Sequence, residues 1–398
     1  MTLTPARVPA AGIRRLTATL YGYAFLDDFV LLYPVYALLF ADTGLSLGQI
    51  SSLFALWSVT AVVLEVPSGA WADAMSRRRL LWIGPLLTAA GFALWVAVPS
   101  YAAFAAGFVL WGAGGALGSG SLEALVYDEL DRLGAAGRYA RVMGRARAAR
   151  LAGTVVSIGL AGPVLARGGY AAVGAASLLA CVLTALVATR FPEHRVRPEG
   201  TGDSWAATLR TGLAEARGDR AVRGALLLVP AVAAVWGALD EYTPLLVRET
   251  GVAEATVPYL IMLIWACVTA GSLLAGPAER LGTAGLAALL AGAALALAAG
   301  AVARSPAGVA LVGLAFAGFQ LAEVLADVRL QHRIDESRRA TLTSVAGLGT
   351  ELVTVATFGV YALLGTGLAH GTVFAVLAIP YLVTAVALVR VRAATARP

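Results

Sequence analysis

Long apolar runs separated by short polar segments dominate this chain. Each run is close to 20 residues, the length that an α-helix needs to cross the hydrocarbon core of a bilayer. We therefore predict an all-α polytopic membrane protein with 12 transmembrane helices. The predicted helices are 16–41, 47–72, 79–98, 101–128, 142–166, 169–190, 222–247, 254–277, 281–303, 306–328, 340–366 and 371–390.

The one long polar segment divides these helices into two sets. We predict an N-terminal six-helix bundle at 1–190, a cytoplasmic linker at 191–221 and a C-terminal six-helix bundle at 222–398. Within the linker, the stretch 203–218 has the pattern of a surface helix.

Short acidic and polar patterns recur between the two halves. The pair Asp27 and Asp28 in "FLDDF" has a counterpart in Asp240 and Glu241 in "ALDEY". The following "DTGLS" is similar in the same way to "ETGVA". Two six-helix units of one orientation are parallel repeats, related by an axis along the membrane normal.

Composition agrees with a membrane protein and excludes an ordinary soluble one, because 59% of residues are hydrophobic, 14% are charged and the mean hydropathy is +0.78. The net charge of +6 by itself suggests nucleic acid as a partner. However, the 30 basic residues are all Arg, and most cluster in the polar segments of one predicted side, with only Arg167, Arg248 and Arg304 on the other. By the positive-inside rule we expect both termini in the cytoplasm, a bacterial inner-membrane location and no nucleic-acid partner.

Acidic residues are confined to particular predicted helices. Helices 3, 6, 9 and 12 have none within their spans. Because carboxylates avoid lipid, we expect helices 1, 4, 7 and 10 to line an interior cavity and the acid-free helices to face lipid. The acids of the first group are Asp27, Asp28, Glu123, Asp128, Asp240, Glu241, Glu323 and Asp327.

No basic residue lies in the middle of a predicted span, so we expect these acids to lack a resident cation. A proton or a cationic substrate then neutralises them, and the alternative is fixed internal salt bridges or hydrogen bonds. The candidate residues for proton coupling or substrate binding are Asp27, Asp28, Asp240, Glu241, Glu123 and Glu323.

Aromatic residues lie near the same positions. An aromatic ring beside a carboxylate can hold an organic cation, and the alternative is simple packing or lipid contact. The candidate cavity aromatics are Tyr23, Trp57, Trp236 and Trp265.

The stretch "GAWADAMSRRRLL" at 69–81 resembles the loop between helices 2 and 3 of the major facilitator superfamily. Gly69, Asp73, Arg77 and Arg78 match that motif, whereas Ser76 replaces its second glycine. The resemblance implies a conformational gate in which Asp73 faces the start of helix 11 and the arginines pair with Asp73 and Asp128. The alternative is ordinary clustering of Arg in a cytoplasmic loop.

Two further stretches, "EVPSG" and "SGSLEALVYD", resemble a bacterial efflux-like branch of this superfamily. Helix 4 departs from proton-coupled drug exporters because "GFVLWGAGGALGSG" has no Arg.

We therefore expect a secondary active transporter that exports small amphipathic or cationic compounds in exchange for protons, by alternating access. The runner-up is a proton-coupled or facilitative importer of a small neutral or cationic metabolite. A receptor on a transporter fold and a membrane enzyme are other classes, and the sequence shows neither a catalytic constellation nor a nucleotide-binding loop. We expect no metal and no cofactor besides the proton gradient, with lipid, protons and a small-molecule substrate as partners of a monomer.

Overall fold

The computed structural model describes residues 10–118, 120–194, 220–332 and 339–395, without the side chains of 65–74 and of a few residues at the ends of these ranges. The helices that include residues of the first half of the chain are α1 (Ala10–Asp27), α2 (Tyr36–Asp42), α3 (Leu47–Ala74), α4 (Arg77–Ala97), α5 (Tyr101–Gly118), α6 (Ser121–Arg132) and α7 (Tyr139–Ala188). Those of the second half are α8 (Arg220–Asp240), α9 (Thr243–Arg248), α10 (Val257–Leu273), α11 (Ala275–Ala278), α12 (Thr283–Val302), α13 (Pro306–Gln331), α14 (Arg339–Leu364), α15 (His370–Leu377) and α16 (Ile379–Thr395).

The predicted all-α membrane fold is confirmed. Within the described ranges, ten helices are long and apolar enough to cross a bilayer. The helical stretch Ala136–Ala188 covers two predicted spans and turns at Gly169, whose φ is 60°. The first predicted span is divided into two shorter helices. These two differences separate ten from twelve, and the number of crossings stays a prediction.

The chain divides into two compact units. One holds the described residues up to Tyr33 and those from Leu56 through 194, and the other holds Pro34–Ala55 and the described residues from 220 onward. The segment 34–55, which the sequence analysis placed in the N-terminal bundle, thus clusters with the second half. The predicted linker helix at 203–218 lies outside the described residues.

In the first unit, α1 packs along α7, and α4 packs against α5 and α7. The contact between α1 and α7 depends on Gly153, because a Cβ there would lie 2.1 Å from the carbonyl oxygen of Phe25. Small residues permit such close approach of membrane helices. The core beside this contact contains Leu16, Leu20 and Val126.

In the second unit, α13 is the central helix and packs against α8, α10 and α12. A Cβ on Gly271 of α10 would lie 2.2 Å from the carbonyl oxygen of Ala317 on α13, so these two backbones are in direct contact. The helices α14 and α16 pack against α8 and α12, respectively.

Five predicted helices are broken, which corrects the sequence analysis. Two of the breaks are single residues, Leu274 in the predicted helix 254–277 and Ala378 in the predicted helix 371–390. The predicted helix 16–41 is interrupted between Asp27 and Tyr36, and the predicted helix 222–247 between Asp240 and Thr243. Pro34 and Pro244 lie at these breaks, where proline removes a donor and clashes with the preceding turn. The predicted helix 101–128 turns at Gly120, which has a φ of 70°.

Candidate functional site

The first acidic pair lies at the carboxyl end of α1, where Asp27 is the last helical residue. Arg150 on α7 donates from Nη2 to Asp27 Oδ2 at 3.0 Å and from Nη1 to Asp28 Oδ1 at 3.4 Å. The expectation that these acids lack a resident cation is therefore wrong. Arg150 lies two turns inside the predicted helix 142–166, where the sequence analysis expected no basic residue to meet these acids.

This ion-pair cluster does not balance its own charge. One guanidinium faces two carboxylates, and the partial negative charge of the helix end adds to the excess. The side chains of Asp27 and Asp28 are only partly buried by the rest of the protein, with 27% and 34% of their surface exposed. The cluster can therefore accept one further positive charge.

The chain after Asp28 is held by side chains rather than by a continuing helix. The backbone N–H of Leu32 donates to Ser177 Oγ on α7 at 3.0 Å. Both residues are buried, so this bond satisfies a donor that the helix break leaves without its normal partner.

The second acidic pair occupies the break after α8. Asp240 ends the helix, Glu241 lies in the turn, and the hydroxyl of Thr243 donates to the Asp240 carbonyl at 2.5 Å. Among the described residues, nothing forms a hydrogen bond or an ion pair with the Glu241 carboxylate. The two halves thus place their acid pairs at equivalent breaks, and Arg150 pairs with both acids of the first.

Glu323 on α13 has a neutral partner instead of a cation. The indole N–H of Trp236 on α8 donates to Glu323 Oε2 at 3.0 Å. Trp236 is 8% exposed and packs edge-on against Phe316, with ring centroids 5.5 Å apart. The structure thus brings together one predicted acid and one predicted aromatic residue of the C-terminal half.

Tyr381 on α16 completes this arrangement and was missed by the sequence analysis. Its hydroxyl accepts the backbone N–H of Trp236 at 2.6 Å and donates to the carbonyl of Val232 at 3.3 Å. The predicted helix that contains Tyr381 was assigned to lipid because it has no acid. This assignment is incomplete, since Tyr381 is fully buried against α8.

The other predicted cavity residues lie on α1, α3, α6 and α10. Tyr23 is 3% exposed and packs on Phe191 at 5.6 Å, as the packing alternative describes. Trp57 lies 5.8 Å from Trp111 and is half-buried, as is Trp265. Glu123 is exposed at the start of α6.

The motif resembling a gate is partly described. Arg77 Nη1 lies 2.5 Å from Asp128 Oδ2, which is one of the pairings that the resemblance implies. Arg78 instead donates to the carbonyl of Phe191 at 3.4 Å. The side chain of Asp73 lies outside the described residues, as do those at the start of α14, so the Asp73 contact stays a prediction. Gly69 lies in the same stretch of α3.

Ser76, the departure from the family motif, caps α4 by accepting the backbone N–H of Arg79 at 3.2 Å. Glu193, which follows α7, binds the same helix end. Its carboxylate accepts the Arg77 backbone N–H at 2.7 Å and a hydrogen bond from the Ser76 hydroxyl. A carboxylate at a helix N-terminus is favourable because it satisfies free N–H groups and complements the helix dipole.

The neighbouring Glu129 holds the next residue of this segment. It accepts the backbone N–H of His194 at 2.7 Å and pairs with Arg132 at 2.9 Å. These contacts attach Glu193 to the start of α4 and His194 to α6.

The second unit contains an aromatic cluster that sequence reasoning also missed. Tyr242 stacks on Tyr361 with centroids 3.6 Å apart and donates its hydroxyl to Ser51 Oγ at 2.6 Å. Arg248, six residues after Tyr242 in the chain, forms an ion pair with Asp42 at 2.6 Å. These contacts attach the segment 34–55 to the second unit.

Metal chemistry finds no support in the described residues. No group of three or more His, Cys, Asp or Glu side chains in that part of the chain is arranged to hold a metal ion. Cys181 and Cys267 are free thiols in helices.

Comparison with known proteins places this geometry in context. The sequence model described as Major Facilitator Superfamily matches residues 17–358. Among curated proteins, none matches at a significant level.

Solved transporter structures share the fold. The nucleoside transporter NupG superposes with a TM-score of 0.76 at 13% identity, covering 95% of this chain and 98% of the other. The D-xylose-proton symporter gives a TM-score of 0.64 at 16% identity, with 95% and 97% coverage. The POT family transporter PepTSo gives 0.69 at 13% identity, with 96% and 99% coverage. At these identities the likeness concerns the fold alone.

Proposed function

This chain belongs to the major facilitator superfamily and is a transporter rather than an enzyme, and we propose that it is a proton-coupled exporter of small amphipathic or cationic compounds, of the efflux-like branch. It would act as an antiporter by alternating access.

One observation carries the proposal. Neither Glu241 nor Glu323 has a cationic partner among the described residues, although both lie in predicted membrane spans. A carboxylate within a membrane span is costly, by up to about 2.5–3.5 kcal/mol at the centre of a helix on insertion scales. A bound proton or a bound substrate cation offsets this cost. When the two compete for one carboxylate, outward movement of substrate is coupled to inward movement of protons.

The first-half pair Asp27 and Asp28 has a different role in this proposal. Arg150 neutralises one of the two charges, so uptake of one proton or one monovalent cation makes the cluster electrically neutral. Arg150 also adds a positive group that the sequence analysis did not foresee, and a substrate that approaches this cluster meets both signs of charge. Asp240 and Glu123 remain candidates for the same coupling.

The proposed setting is a bacterial inner membrane with both termini in the cytoplasm, which rests on the distribution of Arg. Lipid, protons and the small-molecule substrate are the proposed partners of a monomer, with no cofactor besides the proton gradient. In this proposal the ion pair between Arg77 and Asp128 breaks and re-forms as the gate opens and closes. Asp73 and Gly69 belong to the same gate.

The alternative is a proton-coupled or facilitative importer of a small neutral or cationic metabolite. The Trp236–Glu323 pair also suits this alternative, because an N–H donor and a carboxylate acceptor side by side can orient a neutral polar ligand as well as a cation. The fold similarity to a D-xylose-proton symporter is compatible with it but does not select it.

The test is proton movement in proteoliposomes that contain a pH-sensitive dye. Ethidium, tetraphenylphosphonium, a pentose and a nucleoside are added in turn to vesicles with wild type, Glu241→Gln or Glu323→Gln. We expect proton movement on addition of the cations and its loss in one or both variants. Movement triggered by the pentose or nucleoside alone would support the importer.

Asp27→Asn, Asp28→Asn and Asp240→Asn are measured in parallel to locate the coupling residue. Glu254→Gln is the matched control, because Glu254 is an exposed acid outside the candidate site. Uptake of a labelled probe without proton movement, and unchanged in every variant, would exclude coupling and leave a facilitator with structural acids.

A further inference from the structure

The Tyr381 hydroxyl forms hydrogen bonds with two backbone groups of α8. In a regular α-helix, the N–H of Trp236 donates directly to the carbonyl of Val232, four residues earlier. Here the hydroxyl bridges these two groups, accepting at 2.6 Å and donating at 3.3 Å. The backbone of Trp236 is therefore set by a residue of another helix.

A second contact links Tyr381 to the helix that carries Glu323. The Tyr381 ring stacks on Phe319 of α13, with centroids 3.9 Å apart and an interplanar angle of 18°. Phe319 lies four residues before Glu323, which is one turn away on the same face. The contacts form a closed path from Tyr381 through Trp236 and Glu323 to Phe319 and back.

Burial makes this path rigid. Tyr381 and Phe319 are both fully buried, and the packed rings leave little room for either to change rotamer. The groups that hold Trp236 are therefore fixed in place, and its indole N–H points at Glu323 Oε2. The other carboxylate oxygen, Oε1, forms no hydrogen bond within the described part of the chain.

We propose that Tyr381 is a positioning residue for Glu323 and acts through Trp236. By holding the backbone of α8, Tyr381 aims the indole N–H so that it fixes one carboxylate oxygen and leaves the other for a ligand. The free oxygen is an acceptor, so it selects a proton or a ligand that carries an ammonium or N–H donor. This inference rests on the proposed function for the role of Glu323 and adds to it the residue that orients the carboxylate.

The primary test reads the indole directly and needs no substrate. Protein labelled with ¹⁵N at the tryptophan indoles is observed by NMR in detergent, and the Trp236 resonance is assigned by its loss in Trp236→Phe. Tyr381→Phe keeps the stacked ring and removes only the hydroxyl. We expect it to move the Trp236 resonance toward the position found in Glu323→Gln, and to add little in the Glu323→Gln background.

The control is Tyr259→Phe, which removes a hydroxyl from an exposed tyrosine of α10 and should leave the resonance in place. If Tyr381→Phe does not fold, Phe319→Leu removes the stack instead, and we expect a smaller shift in the same direction. An unmoved Trp236 resonance in the folded variant, or a shift that is fully additive with Glu323→Gln, would overturn the proposal.

The transport readout separates positioning from general loss of stability. For ethidium, which carries N–H donors, we expect Tyr381→Phe to raise KM about fivefold with unchanged maximal rate, the factor that corresponds to ~1 kcal/mol. A purely structural role would lower the maximal rate instead. If proton coupling itself is absent, the proposed function fails while the NMR experiment still decides the role of Tyr381.

Discussion

Arg150 Nη2 lies 3.0 Å from Asp27 Oδ2, although the two residues are 123 positions apart in the chain. This pair joins α1 to α7 at the point where α1 ends. Glu241, the counterpart of the neighbouring Asp28, has no cation among the described residues. Asp27 and Asp28 are therefore anchored by a cation, whereas Glu241 is open to a ligand or a proton.

Removing Arg150 should destabilise the first unit through uncompensated charge. We expect Arg150→Gln to lower the thermal midpoint in detergent by several degrees, because two adjacent carboxylates then remain at a helix C-terminus without a cation. Adding Asp27→Asn should restore part of the loss, since one negative charge is removed with the positive one. A double variant that is less stable than Arg150→Gln would contradict this explanation.

Gly153 should tolerate no side chain. Gly153→Ala places a Cβ 2.1 Å from the backbone oxygen of Phe25, so α1 and α7 must separate. We expect little folded protein by size-exclusion chromatography. Gly159→Ala is the matched control on the same helix, because a Cβ there meets nothing within 4 Å. Its yield should equal or exceed wild type, since alanine favours helix over glycine by about 1 kcal/mol.

The cap formed by Glu193 should contribute measurably to stability. Glu193→Gln weakens the charged interaction with the N-terminus of α4, and Glu193→Ala removes it. We expect a loss of about 1 kcal/mol for the alanine variant and less for glutamine, measured as a decrease in the thermal midpoint. Glu254→Ala, at an exposed acid away from this helix end, serves as the control. Equal midpoints for all three variants would show that the cap adds nothing.

Tyr242 and Ser51 should be energetically coupled through their hydrogen bond. Both residues are buried, so Tyr242→Phe leaves the serine hydroxyl without this donor and should cost about 1 kcal/mol. Ser51→Ala should cost a similar amount, while the double variant should lose clearly less than the sum. A double-mutant cycle of thermal midpoints measures the coupling. Strict additivity would mean that the bond does not attach 34–55 to the second unit.

The sequence by itself determined the membrane-protein class and the approximate place of most helices. Runs of about 20 apolar residues leave a chain no alternative in lipid, because each backbone group must be satisfied within its own helix. The repeat of Asp27 and Asp28 as Asp240 and Glu241 was equally visible. The breaks beside these pairs had a local signal in Pro34 and Pro244, which the apolar pattern outweighed.

Only the tertiary structure decided which side chains meet. Arg150 was visible inside a predicted helix, but its partner depends on the rotation of α7 against α1 and on the contact at Gly153. Tyr381 had no signal at all, because helices that are apolar on every side do not reveal which face is buried. Pairings between helices far apart in the chain follow from packing, and packing is a property of the folded molecule rather than of any local stretch.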